Sequence, residues 1–215
     1  MTLAELQRLV AKGESQHLEF KHKIQFPEKV AKEIVAFCNT RGGILLIGVD
    51  DNKQLFGLKN VEEEVFTLSL IKTKYIRFPV EWDLEIIKIS EKKSVIKLDI
   101  KEAIQKPNYA LDAPGQRFGT AYVRHEDKSI QASDTMIQFL KLSSKSGMQA
   151  FTLGEVEKKI LSYIDTQGSS TLLQISNQIL TSKEVIQKAI LQMLIHRVLQ
   201  ITPRENGEDL FSTCV

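Results

Sequence analysis

The 215-residue sequence is poor in cysteine: Cys38 and Cys214 are its only two. Two cysteines so far apart make neither a disulfide framework nor a zinc knuckle. The four histidines, His17, His22, His125 and His196, show no ligand spacing, so a His/Cys metal centre is not expected. No apolar run approaches the ~20 residues that span a bilayer. The opening stretch, MTLAELQRLVAKGE, carries acids and lacks an apolar signal core. A cytoplasmic chain with no membrane partner is therefore expected. Charge of one sign is also scarce. The formal net charge is +2, with 23 basic against 20 acidic residues over 1–150 and 6 against 7 over 151–215. Any nucleic-acid surface must then come from local arrangement rather than bulk charge.

What is present is periodic. Leu3, Leu6, Leu9 and Val10 recur at helical spacing, Thr2 and Glu5 form a capping box, and Gly13 is a plausible end. HLEFKHKI alternates as a strand, with Leu18 and Phe20 on one face and Glu19 and Lys21 on the other. Pro27 opens a second helix whose buried side is Val30, Ile34, Val35, Phe37 and Cys38. GILLIGV reads as a strand buried on both faces, DDNKQ as a turn, and LFGL as a short return strand. A helix over about 60–76 follows. LEIIKIS-EKK-SVIKLDI and GTAYVRHEDKSIQAS read as hairpins, and SDTMIQFLKL as a closing helix capped by Ser133 or Asp134.

Glu19 and Lys21 project to the same side of their strand. A carboxylate and a lysine so placed suit metal-dependent phosphodiester cleavage, the first holding a cation and the second neutralising phosphate. Glu14 can join them only if the chain turns near 13–15, and a further carboxylate is available at Asp50 or Asp51. The same residues also suit a solvated edge strand and an ordinary Asp/Asn turn, so spacing leaves both roles open. Arg124 in AYVRH fits either a phosphate contact or a sheet ion pair.

Three separated stretches, ESQHLEFK, IVAFCNTRGGILLIGVDDNKQLFGL and GTAYVR…SIQAS, together resemble the Schlafen AlbA-2 family over about residues 10–142. The resemblance implies a lobe that, in vertebrate Schlafens, cleaves tRNA or rRNA with three carboxylates. They correspond to Glu14, Glu19 and Asp51 here, with Lys21 as the family lysine and Mg²⁺ or Mn²⁺ as the implied cofactor. Two departures matter. A paired-lobe clamp would need two copies of this chain, and many microbial members with one lobe and a winged helix are labelled transcriptional regulators or ATP-binding proteins. ATP is not expected: TRGGILLIG lacks the Lys-Ser/Thr of a phosphate loop, and Gly42-Gly43 reads as tight backbone between helix and strand.

The polar stretch 143–150 reads as a linker. Beyond it, three short helices and a hairpin turning at Asn206-Gly207 make a winged helix over 151–215. Its third helix, opened by a Thr181–Glu184 capping box, buries Val185, Ile186, Ala189, Ile190, Met193 and Leu194. That stripe leaves Lys183, Gln187 and Lys188 to face nucleic acid. Glu184 and the wing acids oppose such a role. The expected architecture is an α/β (α+β) mixed-sheet AlbA-2-like domain, 1–142, joined to the winged helix in a homo-oligomer. The favoured function is DNA binding as a transcriptional regulator, with RNA a further partner class. The alternatives are a divalent-metal endoribonuclease and a protein-interaction module.

Overall fold

The computed structural model describes residues 1–144 and 151–214. Most of the expected 143–150 linker lies outside them. Two compact units divide the chain: Met1–Ile104 with Asn108–Ser129, and Gln105–Pro107 with Ile130–Val215. Residues 130–142, grouped by the sequence with the first domain, fall in the second unit. There helix α4 (Asp134–Ser143) packs on a later helix.

The first unit is built on a four-stranded mixed sheet of order β1-β2-β4-β3. Strand β1 (Leu18–Lys21) runs parallel to β2 (Gly43–Ile47), while β4 (Lys93–Ile100) is antiparallel to both β2 and β3 (Trp82–Ser90). The alternation of β2 sorts two cores. Leu45 and Ile47 join Ile34, Val35 and Phe37 of helix α2 (Pro27–Asn39) on one face. Leu46 joins Leu18, Phe20, and Leu6 and Val10 of helix α1 (Leu3–Lys12) on the other. The unbroken apolar run GILLI is thereby accounted for: both faces of β2 are covered.

Local chemistry sets the ends of these elements. Thr2 and Glu5 form the expected capping box and Gly13, at φ 82°, closes α1. The expected 60–76 helix is α3 (Val61–Leu70), followed by a π-helical segment, Ile71–Tyr75. LFGL forms no strand; it is tied by single bridges, Val49 to Leu55 and Leu58 to Ser94. Beyond the sheet, β5 (Tyr122–His125) and β6 (Lys128–Gln131) make the second hairpin.

In the second unit, helices α5 (Glu155–Gln167), α6 (Leu172–Gln178) and α7 (Lys183–Ile195) surround Ile160, Ile164, Ile175, Ile190 and Phe211. A three-stranded antiparallel sheet of order β7-β9-β8 completes it, from Ser170–Thr171, Leu210–Thr213 and Leu199–Thr202. The element order helix, short strand, two helices, hairpin is that of a winged helix. Two-residue β7 was illegible because two residues carry no period. The wing is longer than a two-residue turn: β8 and β9 are separated by 203–209, with Gly207 at φ 78°. The α7 cap is Ser182, whose side chain accepts from the Val185 amide, rather than Thr181. Val185 lies outside the buried stripe and is 45% exposed, and Leu191 takes a place in it.

Candidate functional site

Glu19 is buried although β1 is an edge strand. The face that also suited a solvated edge meets Arg124 of β5, which in turn binds Glu33 of α2. From β5, the Arg124 side chain enters the interior. Its Nη1 lies 3.0 Å from Glu19 Oε2, 3.0 Å from Glu33 Oε2 and 3.2 Å from Ser129 Oγ, while Nη2 donates to the Ser15 carbonyl at 2.8 Å. The guanidinium stacks over Phe37, 4.6 Å from the ring centre. Its Nε alone has no hydrogen-bond partner among the described residues. Arg124 is thus a buried ion-pair centre.

Lys21 Nζ binds the other oxygen of Glu19, as same-side placement on β1 requires. Burial pushes the Glu19 carboxyl above the ordinary glutamate range; Glu33 pushes it further, Lys21 opposes, and Glu14 adds a smaller upward push.

Glu14 does join this cluster. A tight reversal, in which Ser15 and Leu18 exchange backbone hydrogen bonds, brings it back so that Glu14 Oε1 accepts from the Phe20 amide at 2.9 Å. Asp51 does not. It is exposed in a turn organised by its neighbour: Asp50 Oδ1 accepts from the amides of Asn52 and Gln54 at 3.0 and 2.8 Å. From the same turn, Lys53 reaches the end of α1, its Nζ 2.9 Å from where a Gly13 Cβ would stand. Among the described residues, no three His, Cys, Asp or Glu side chains are grouped to hold a metal ion. As arranged, Glu14, Glu19 and Asp51 do not fit one shared Mg²⁺ or Mn²⁺. Both oxygens of Glu19 are already engaged by cations, and Asp51 is exposed to solvent.

Gly42 and Gly43 have the backbone role read from the sequence. A Cβ on Gly42 would meet the Ile100 carbonyl at 2.5 Å, and one on Gly43 would meet Phe37 at 2.4 Å. The sequence reading missed Glu33 and Ser129, which complete the Arg124 cluster. Helical spacing marks Glu33 only as a residue off the apolar stripe of α2, and Ser129 carries no pattern at all.

On α7, Lys183 and Lys188 are exposed as expected. Gln187 is not free: its Nε2 donates to Thr135 Oγ1 of α4 at 3.4 Å. The wing acids divide. Glu205 and Glu208 are exposed, whereas Asp209 is buried and accepts from Ser133 Oγ at the start of α4. Burial raises the Asp209 carboxyl, with the Ser133 hydrogen bond opposing. Glu184 is held below its usual range by hydrogen bonds at the α7 N-terminus, its own amide first and Ser182 second. A cleft of about 250 Å³ lies among the starts of α4, α6 and α7 and the wing, with Lys183 and Asp209 in its wall.

The fold defines a mixed α/β domain carrying a buried acid–arginine cluster, followed by a winged helix. Its family follows from comparison: the model of the Schlafen AlbA_2 family matches residues 14–133, and the chain belongs to that family. No curated protein matches it. Among solved structures, the DIP2311 protein from Corynebacterium diphtheriae is similar at 17% identity and a TM-score of 0.44, over 71% of this chain and 30% of that one. The N-terminal domain of a Nitrosomonas europaea protein, described as related to an ATP-dependent DNA helicase RecG, is similar at 18% identity and a TM-score of 0.42. That match covers 72% of this chain and 96% of the domain. Both similarities are remote. Among the described residues no helix is long and apolar enough to cross a membrane.

Proposed function

We propose that this protein binds nucleic acid, with duplex DNA as the ligand of its winged helix, and acts as a transcriptional regulator. The observation that carries the reading over cleavage is the closure of Glu19 onto Arg124 and Lys21. To hold a catalytic cation, Glu19 would have to give up the ammonium and guanidinium that now engage its two oxygens. Family membership supports a nucleic-acid partner. On α7, exposed Lys183 and Lys188 supply the phosphate contacts that a recognition helix needs. Inward rotation of Asp209 removes one acid from the wing surface. A homo-oligomer belongs to the same proposal, since a two-fold regulator reads two half-sites.

The test measures binding of the full chain to duplex DNA and to structured RNA in chelator, then looks for cleavage with Mg²⁺ or Mn²⁺. Saturable duplex binding without cleavage is the expected result. RNA cleavage that needs metal and vanishes in Glu19→Gln would instead establish the ribonuclease reading of Glu14, Glu19, Lys21 and Asp51. Absence of binding to any nucleic acid would favour the protein-interaction reading.

A further inference from the structure

The first unit exposes an aromatic and arginine surface built from residues outside the Glu19–Arg124 cluster. Phe118 is 74% exposed and Phe78 37%, and together they make a patch rather than scattered single rings. Each carries the preceding arginine over its face: Arg117 lies 5.4 Å from the Phe118 ring centre and Arg77 lies 5.7 Å from that of Phe78. Arg77 Nη1 donates to the Arg117 carbonyl, joining the two pairs into one surface. Tyr109 extends it, its ring edge-on to Phe78 at 6.3 Å. Neither arginine is in an ion pair among the described residues.

The surface is held from beneath. Asn108 is wholly buried, and its side chain accepts from the amides of Phe78 and Tyr109 at 3.1 and 2.8 Å while donating to the Phe78 carbonyl at 2.9 Å. Asn39 fixes Asn108 in turn: its side chain accepts from the Asn108 amide at 2.7 Å and donates to the Asn108 carbonyl at 3.0 Å. The Arg77 amide donates to the Tyr109 carbonyl at 3.0 Å. On the other side, Ala110 and Thr120 exchange backbone hydrogen bonds of 2.9 Å, and Gln116 braces the loop by accepting from the Asp112 amide at 2.8 Å. Two exposed rings are therefore presented on backbone that has little freedom to collapse over them.

We propose that Phe78, Phe118 and Tyr109, with Arg77 and Arg117, form a stacking platform for unpaired bases of single-stranded nucleic acid. Rings offer every base a π-face, and unpaired guanidiniums both stack and neutralise the strand's phosphates. An apolar protein partner would use the rings but leave two unpaired arginines without a counter-charge; a strand satisfies both. The inference rests on the nucleic-acid reading above but concerns a different surface and a different ligand from the winged helix.

Fluorescence anisotropy of the full chain tests it, with labelled oligo-dT and oligo-rU of about 20 nucleotides, an abasic strand of equal phosphate number, and a duplex. The expected result is binding of a base-bearing strand at least about tenfold tighter than the abasic one. Phe78→Ala/Phe118→Ala should lose at least about fivefold on that strand, and Phe78→Tyr/Phe118→Tyr should restore it. Circular dichroism confirms the fold of each variant. Equal affinity for abasic and base-bearing strands, or no loss in the alanine variant, would overturn the platform even where the duplex binds well. Ring-dependent strand binding without duplex binding would uphold the platform and defeat the winged-helix reading.

Discussion

Arg124 decides the stability of the AlbA_2 cluster at the scale of single residues. Removing it leaves Glu33 without its cation and Glu19 with Lys21 alone, whereas neutralising Glu19 leaves Arg124 with Glu33, Ser129 and the Ser15 carbonyl. Arg124→Met should therefore cost about 3–5 kcal/mol, as breaking a buried pair does. Glu19→Gln should cost under about 2 kcal/mol, nearer the value of one charged hydrogen bond. Urea titration of both variants measures the contrast; equal losses would contradict the hub role. Asp209 gives a pH test with a definite sign. Its folded carboxyl is raised by burial, so the native state holds a proton that the unfolded chain has released. Stability from this group falls as pH rises from the ordinary aspartate range, about 4, through the raised folded value. Asp209→Asn should remove that decline. Chemical denaturation across this pH range checks it, and an unchanged profile would show that Asp209 makes no contribution.

Among the elements, the junction between α2 and β2 is the tightest. Gly42 has φ 72°, and its missing Cβ would lie 2.5 Å from a backbone carbonyl of β4 that cannot swing aside. Gly42→Ala should cost upwards of about 2 kcal/mol from overpacking and the left-handed backbone together. Thermal unfolding reads this directly, and a neutral result would mean that the junction relaxes. Glycine pairs, the Thr2 cap and the apolar run of β2 were legible in the sequence because each acts through its neighbours. The identity of the Gln187 partner was not, since Thr135 is 52 residues away. For the same reason the stripe on α7 was drawn one position wide of the truth at Val185: periodicity gives the face, while packing against α4 fixes its edges.

For the whole molecule, the family and the two-part architecture were written in three separated motifs and a helix-hairpin pattern. The site was legible in part. Glu19 and Lys21 pair on β1, and a reversal at 15–18 turns Glu14 back onto the Phe20 amide. Arg124 closing on Glu19 from residues over a hundred positions away, and Asp51 left out in solvent, are tertiary outcomes with no local signal. The reading proposed above is binding of nucleic acid. The most direct test of that central reading is the salt dependence of duplex affinity for the wild type and for Lys183→Ala/Lys188→Ala. If both lysines touch phosphate, the variant should bind every duplex more weakly, and its log–log salt slope should be shallower by about two. A variant indistinguishable from the wild type, or a wild type that never saturates on duplex DNA, would contradict it.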